Sequence, residues 1–550
     1  MAIKVGGTEV VDNNRQLKNI ASVDATTVAA LGTAGVGGGA SFDATASGAL
    51  ANGNPVILNA NGTVSKPALS ISANDPATFG YSNGADVNGA STTQSMSAAY
   101  NSNTGTTGAG AFMTLFEDTS DSNILKVNMM TIRADGEFNI EGEDSVGTQV
   151  SGSRDADVCF SEPTNKFVVV YVHDGGNGTI RAATPAAARS VAFHSGYTFD
   201  SSGNTYAPRV ATDNNNNPYN FVIAYSSTQD ESLKVKPCQL NTSNNSFTLG
   251  SETTIPTGTY VSGGHTIVYD STNDKFILVY GDTNDSGNVK VRVLTLNSSN
   301  NTLSVGSENE LSTVTTSGSN HLAAVFTTGG KTVIACKNAA DSSYLTTVVF
   351  TTSGTSGSFG TPQRVFARAA SEVCIGYDNN TNRVGISFGD QSNSGFASFV
   401  TGSVGTTSLT FQSSNPATLN STGRSATSRP SVRMPFSGTN TGAVAGEYSR
   451  DNKMMAFYCE SNRARVQSVN LGTTTTSLTS SNYLGIADAA YSNGATATVQ
   501  TMGAIDDAQS GMTIGAKQYV QSDGTIGGSA DSPSVEAGLA LSATKLLVKG

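Results

Sequence analysis

Between Gly263 and Thr313 short apolar runs alternate with turns built from Asp, Asn, Ser and Gly. His265 to Tyr269 reads as a strand that ends at the polar turn Asp270 to Lys275. Phe276 to Tyr280 is an unbroken apolar run, as a strand buried on both faces carries. Asp282 to Gly287 is rich in residues that tolerate positive φ or bond their own backbone, so it reads as the next turn. In Val289 to Leu296, Lys290 and Arg292 alternate with Val289, Val291 and Val293, the period of a half-buried strand. Asn297 to Asn301 turns the chain into a weak fourth strand, Thr302 to Val305. The pattern predicts one antiparallel four-stranded meander.

The same pattern recurs. First strands end at Tyr100, Phe160, Tyr269, Phe326, Tyr377 and Tyr448, with Thr212 in the equivalent place, at intervals of 60, 52, 57, 57, 51 and 71 residues. Second strands then align at residues 111–115, 167–171, 221–225, 276–280, 332–335, 384–388 and 454–458, and third strands include 126–130 and 463–469. Repeats of this length, each one meander, predict an all-β fold with about seven blades of a β-propeller. The terminal units fit worst, because of a Gly-rich insertion at 104–110 and an unassigned stretch at 425–441, so six or eight blades stay open. A fibre of stacked β domains is the competing fold. Closing a ring removes exposed sheet edges, and the chain lacks the Pro and Lys that protect seven free ones.

The flanks read differently. Residues 52–64 share a plan with residues 514–526: Gly, an apolar strand, an Asn/Asp-Gly turn, then Thr and a β-branched residue. Further strands are expected at 483–486, 495–502 and 546–548. Residues 1–40 form a small separate unit, with a strand pair within Ile3 to Val11 and a short helix from Asp24, its N-cap, to Leu31. The glycine-rich stretch 32–39 follows it. So small a unit cannot bury a stable core alone.

Charged residues are 13% of the 550-residue chain, about half the usual ~25%. The net charge of −11 shows no basic stripe, which argues against a nucleic-acid partner. No apolar run approaches the ~20 residues of a membrane span, so membrane insertion is not expected. The N-terminus lacks the apolar core of a secretory signal. Five cysteines, Cys159, Cys238, Cys336, Cys374 and Cys459, show no metal or redox spacing and read as reduced core thiols.

Candidate chemistry is sparse. His265 and His321 begin first strands in neighbouring units, and Arg209 and Arg154 take comparable places in others. Converging on one mouth of a channel, these four could bind an anion or a sugar; unrelated polar strand ends are the plainer reading. The turns at 213–217, 282–287 and 378–380 invite a structural calcium ion, but Asp282 to Gly287 lacks the bidentate Glu of a recognised calcium loop, so no cofactor is expected. No GxSxG, HExxH or P-loop occurs, and no catalytic residue is assigned. Tyr171, Tyr225 and Tyr280 end buried second strands and are expected to pack in the core.

Residues 3–36, IKVGGTEVVDNNRQLKNIASVDATTVAALGTAGV, resemble the N-terminal segment of phage tail fibres and other virion structural proteins of the marine and cyanobacterial type. Residues 483–526 and 535–550 resemble the small β-barrel domain at the ends of phage fibre and capsid-decoration proteins, and residues 44–66 its opening hairpin. The resemblance implies a virion-attachment segment at 1–40, a β-barrel split into 41–70 and 480–550, and a propeller inserted at 71–479. It implies a non-enzymatic tail fibre or receptor-binding adhesin of the virion, assembled in the host cytoplasm. Residues 1–40 would join other virion proteins, and the body would bind a host surface glycan or outer-membrane protein by multivalent contact. Homotrimers are common in such fibres. A capsid-decoration or head-fibre protein is the alternative, and a propeller enzyme that degrades polysaccharide a lesser one.

Overall fold

The meander at residues 265–315 folds in the order its alternation dictates. In the computed structural model, strands His265–Asp270, Lys275–Asp282, Asn288–Asn297 and Thr302–Thr315 form one antiparallel sheet. The Asp282 side chain accepts a hydrogen bond from Asn284 N and caps the 3-10 turn Thr283–Asp285. The structure describes residues 3–5, 8–11, 41–73, 85–86, 93–101, 111–132 without 119, 138–149, 156–255 without 174, 187–189 and 216–217, 264–316, 322–418 without 328, 380 and 412–416, 453–460, 463–470 and 472–549. Among these the regular structure is strands and two 3-10 turns, and no helix is long and apolar enough to cross a membrane. The strand pair expected near the N-terminus is Ile3–Val5 with Thr8–Val11. The helix expected at 24–31 lies outside the described residues.

Chain contacts divide the protein into two units, residues 1–70 with 474–550, and residues 71–473. In the second unit, five further first strands repeat the plan: Thr93–Tyr100, Asp157–Ser161, Thr205–Thr212, Leu322–Thr327 and the latter half of Gln363–Asp378. Numbered along the chain, they open sheets 1, 2, 3, 5 and 6, and the 265–315 meander is sheet 4. Each first strand lies against the next. A three-stranded sheet of Lys453–Glu460, Arg463–Asn470 and Ala85–Asp86 has neighbours in both sheet 6 and sheet 1. Ala85–Asp86 comes from the start of the unit and Arg463–Asn470 from its end, so their pairing joins the two ends of the chain path. Sheets standing side by side around a common axis, first strands innermost, are the arrangement of a β-propeller. Tyr448 and residues 425–441 lie outside the described residues.

Each second strand packs on both faces, which is why its sequence is continuously apolar. Phe221, Ile223 and Tyr225 share a core with sheet 2, whereas Val222 and Ala224 share one with sheet 4. The cores between sheets 1 and 2, 4 and 5, and 5 and 6 are built alike. Burying one such Val, Ile or Phe contributes about 1.5–3 kcal/mol. Tyr171, Tyr225 and Tyr280 are in these cores, at 2%, 0% and 0% exposure. Cys159, Cys238, Cys336 and Cys374 are buried and form no disulfide, and burial pushes the Cys336 thiol up to about 12. Cys459 lies on Lys453–Glu460.

The four-strand plan needs one amendment. In several sheets the outermost strand is broken in two, each half pairing with a different half of the third strand. Sheet 3 shows it as Ser246–Leu249 and Thr253–Ile255, both on Ser232–Asn241. Sheet 2 does the same with Val191–Phe193 and Tyr197–Asp200. In sheet 4 the halves stay continuous but shift register between Arg292 and Leu294.

The first unit holds two five-stranded antiparallel sheets. One runs Ser41–Thr45, Thr496–Gln500, Tyr483–Ala487, Pro55–Leu58, Val64–Ser65, and the other Ile505–Asp506, Leu546–Val548, Val535–Ala540, Lys517–Val520, Ile526–Gly527. The two segments of similar plan are the edge hairpins of the two sheets. Their turns match atom for atom: Gly62 N donates to Asn59 O, and Gly524 N to Gln521 O, each at 2.9 Å. Asn61 and Asp523 each accept from the backbone N–H and hydroxyl of the Thr two residues on. Where the chain leaves and re-enters this unit, Ala68 N donates to Ser477 Oγ, and the Ser70 and Thr475 hydroxyls meet at 2.8 Å.

Candidate functional site

The residues that end the first strands bring the sheets together at one end of the axis. They surround a cavity of about 420 Å³ lined by all six first strands. Tyr100, Phe160, Tyr269 and Phe326 contribute aromatic walls, and Thr212, Asp213, Asn214 and Glu162 contribute polar groups. Across the turn that follows, three of the rings pack on the aromatic opposite them in the second strand: Tyr100 on Phe112 at 4.8 Å, Phe160 on Phe167 at 4.9 Å and Tyr269 on Phe276 at 5.1 Å between centroids. Pairs of this kind contribute about 0.5–1.5 kcal/mol beyond burial and fix the rings in place.

The polar rim is held from sheet to sheet. Glu162 N, in sheet 2, donates to Asn214 Oδ1 in sheet 3 at 3.3 Å. Asp213 is 6% exposed; its carboxylate accepts from Asn215 N at 3.0 Å and Asn220 Nδ2 at 2.7 Å. Burial raises the Asp213 pKa above the usual carboxylate value, against the lowering effect of those donors. Tyr269 donates its hydroxyl to Asp274 Oδ1 at 2.8 Å, and burial together with that carboxylate raises its pKa. A concave, largely apolar wall with a few fixed polar groups, in the 300–1,000 Å³ range, is the form of a small-ligand site.

Of the four residues expected at a channel mouth, the structure describes two. His265 and Arg209 lie on neighbouring first strands. His265 precedes Tyr269 by four residues and Arg209 precedes Thr212 by three, which places them about 10–13 Å along their strands from the cavity rim. They are 2% and 4% exposed. His265 Nδ1 lies 3.4 Å from Ser226 Oγ, and Arg209 Nη1 donates to Pro208 O at 3.0 Å. Arg209 follows a bulge in which Ala207 takes φ +47°. His321 and Arg154 lie outside the described residues. Four of the aromatics that align the repeat, Tyr100, Phe160, Tyr269 and Phe326, line the cavity.

At the opposite ends of the sheets, the turns between second and third strands hold lysine–carboxylate clusters. Lys290 Nζ lies 3.1, 2.9 and 3.0 Å from carboxylate oxygens of Asp282, Asp285 and Glu308. Lys126 meets Asp118, Asp121 and Glu143 at 2.7, 3.0 and 2.7 Å, and Lys234 meets Asp230 and Glu252. Burial alone would lower the Lys126 and Lys290 pKa values, but the carboxylates around them outweigh it and raise both. The carboxylates that suggested calcium at 282–287 share the Lys290 ammonium group. Among the described residues no three His, Cys, Asp or Glu side chains are grouped to hold a metal. Exhaustive dialysis against EDTA should leave the melting temperature within 1 °C, whereas losing a cation worth ~5 kcal/mol would lower it by about 4–6 °C in a chain of this size. A larger fall would place a structural cation in the fold.

No family model matches the chain, and no curated protein does. Among solved structures it is similar to a mutant Aleuria aurantia lectin in complex with alpha-methyl-L-fucoside (TM-score 0.38, 13% identity, covering 60% of this chain and 99% of the lectin). A crystal structure of the lectin from the same source, described as a six-bladed β-propeller, has a TM-score of 0.38 at 12% identity, covering 58% of this chain and 95% of that one. AofleA from Arthrobotrys oligospora has a TM-score of 0.38 at 9% identity, covering 66% of this chain and 92% of its own.

Proposed function

We propose that the chain is an attachment protein of a virion, which holds a host surface glycan in the axial cavity without chemical turnover. The propeller is read as seven-bladed, with the 453–470 sheet and Ala85–Asp86 as the seventh blade, and as inserted in a small β domain formed by residues 41–70 and 480–550. The observation that carries the binding reading is the cavity itself: four aromatic residues from four sheets and hydrogen-bonding groups at one rim. Sugar rings present apolar faces to aromatic walls and hydroxyls to polar ones, and both kinds of partner are held in place by neighbours. Residues 1–40, with their resemblance to virion attachment segments, support the particle role. Many copies per particle would give firm attachment from weak individual sites. No cofactor is needed.

The test is retention of the full-length protein on immobilised glycans of the host envelope, with Tyr269→Ala and Tyr100→Ala as probes. Each is expected to weaken binding by about tenfold, equivalent to ~1.4 kcal/mol. Undiminished binding by the double variant would move the site elsewhere on the molecule. Deleting residues 1–40 should abolish incorporation into particles while glycan binding persists. Normal incorporation of the deletion would contradict the attachment role.

A further inference from the structure

Resting on the reading of the axial cavity as a ligand site, we propose that it selects a sugar bearing a free amine over its neutral and anionic counterparts. Among the described residues that line the cavity, the charged side chains are Glu162 and Asp213, both acidic. A third carboxylate, Asp274, stands beside the cavity as the partner of the Tyr269 hydroxyl.

Two of the three lysines that follow these rim turns bond groups elsewhere in the sheets. Lys166, Lys275 and Lys331 each begin a second strand immediately after a rim turn. Lys166 Nζ donates to Thr184 Oγ1 on the third strand at 2.8 Å, Lys331 Nζ to Gly405 O in sheet 6 at 3.1 Å, and Lys275 Nζ to Asp274 O at 3.0 Å. The described side chains that line the cavity therefore set negative charge against aromatic walls.

Both features favour the same ligand. An ammonium group is attracted to the faces of Tyr and Phe rings within about 6 Å. It is also attracted to carboxylates whose field is screened less than at an open surface. Asp213 suits the role: it is 6% exposed and its orientation is fixed by Asn215 and Asn220. Its raised pKa reflects a carboxylate that burial has deprived of solvation, which a bound ammonium would restore. Glu162 is exposed at the rim and would attract the same charge as it enters. A carboxylate or phosphate ester on the sugar would meet like charge at both positions.

The experiment titrates the full-length protein at pH 6 and low salt with four methyl glycosides of one hexose configuration: the 2-amino-2-deoxy sugar, its N-acetyl derivative, the parent hexose and the uronic acid. The amine is expected to bind at least tenfold more tightly than the N-acetyl sugar, and the advantage to shrink as salt is raised. Asp213→Asn and, at the exposed rim, Glu162→Gln should each reduce the ratio of amine to parent-hexose affinity, and a ratio unchanged in both would overturn the charge preference. Equal or tighter binding of a neutral or anionic sugar would overturn the charge preference and leave the axial-site reading standing. If none of the four binds, both fall.

Discussion

Lys290→Met is expected to destabilise the protein by about 3 kcal/mol, the scale of removing one partner from a buried ion cluster. Lys290 is 6% exposed and Asp282 3%, so the change leaves the Asp282 carboxylate buried beside Asp285 and Glu308 with its cation gone. Asp282 cannot simply rotate to water, because it also caps the turn through Asn284 N at 3.0 Å. Arg364→Ala is the contrast. Its partnership with Asp341 is short, yet Arg364 is 49% exposed, and surface pairs are worth about 0–1 kcal/mol. Denaturant unfolding of both variants separates a structural cluster from a surface decoration; equal, small losses would contradict the cluster's role.

The same clusters set the response to acid. Burial would raise the pKa of Glu308, but bonds from Lys290 and Tyr280 and the charge of Arg292 outweigh it and lower it. Asp230 is lowered in the same way by Ser227, Ser232 and Lys234. A depressed folded-state pKa adds stability that is present above the unfolded value, near 4, and is lost as pH falls through the folded one. Asp213, raised by burial, has the opposite sign: it costs stability as pH rises through its folded value. With Asp230, Asp285, Glu308, Asp531 and Glu536 lowered against Asp213 and Asp506 raised, acid destabilisation is the net expectation. Lys290→Met should flatten that limb.

Gly306→Ala is expected to be nearly as damaging, by about 1–3 kcal/mol, the usual cost of forcing extra volume into packed structure. A Cβ at Gly306 would lie 1.9 Å from Thr355 O and 2.9 Å from Val293 O, both backbone atoms that cannot swing aside. Thr355 belongs to the turn between the third and fourth strands of the next sheet. Gly250 stands in the same relation to Asn301 O, at 2.0 Å, and Gly360 to Thr407 O, at 1.9 Å. Each break or register shift in an outer strand thus lets the following sheet's turn seat against bare backbone. Gly528→Ala, with no atom within 4 Å of the added methyl, should change stability by less than about 0.5 kcal/mol. If both variants melt alike, the inter-sheet contact at Gly306 is not tight.

This contact shows what sequence reasoning reached and what it missed. All seven aligned second strands are strands in the fold, because burial on both faces leaves an apolar run that needs no partner to be recognised. The glycines were readable too: those at 250, 306 and 360 stand 56 and 54 residues apart, more regular than the aromatic anchors. Their meaning was hidden, since a glycine ending a strand looks like a turn signal until the neighbouring sheet is placed against it. Lys290 was read as the polar side of a half-buried strand. Its burial depends on Asp282, Asp285 and Glu308 arriving from the second strand, a turn and the fourth strand. The cavity was missed for a related reason. Tyr100, Phe160, Tyr269 and Phe326 are separated by 60, 109 and 57 residues, and only the ring makes them neighbours. Histidine and arginine are the side chains that stand out in the sequence, but His265 and Arg209 are buried farther down their strands.

The measurement that bears most directly on the axial site is the stoichiometry of glycan binding to the full-length chain, by isothermal titration calorimetry. One cavity lined by all six first strands predicts one sugar per chain, lost in the Tyr100→Ala, Tyr269→Ala double variant. Several equivalent sugars per chain, or one that survives the double variant, would place binding between sheets or on their outer edges and contradict it.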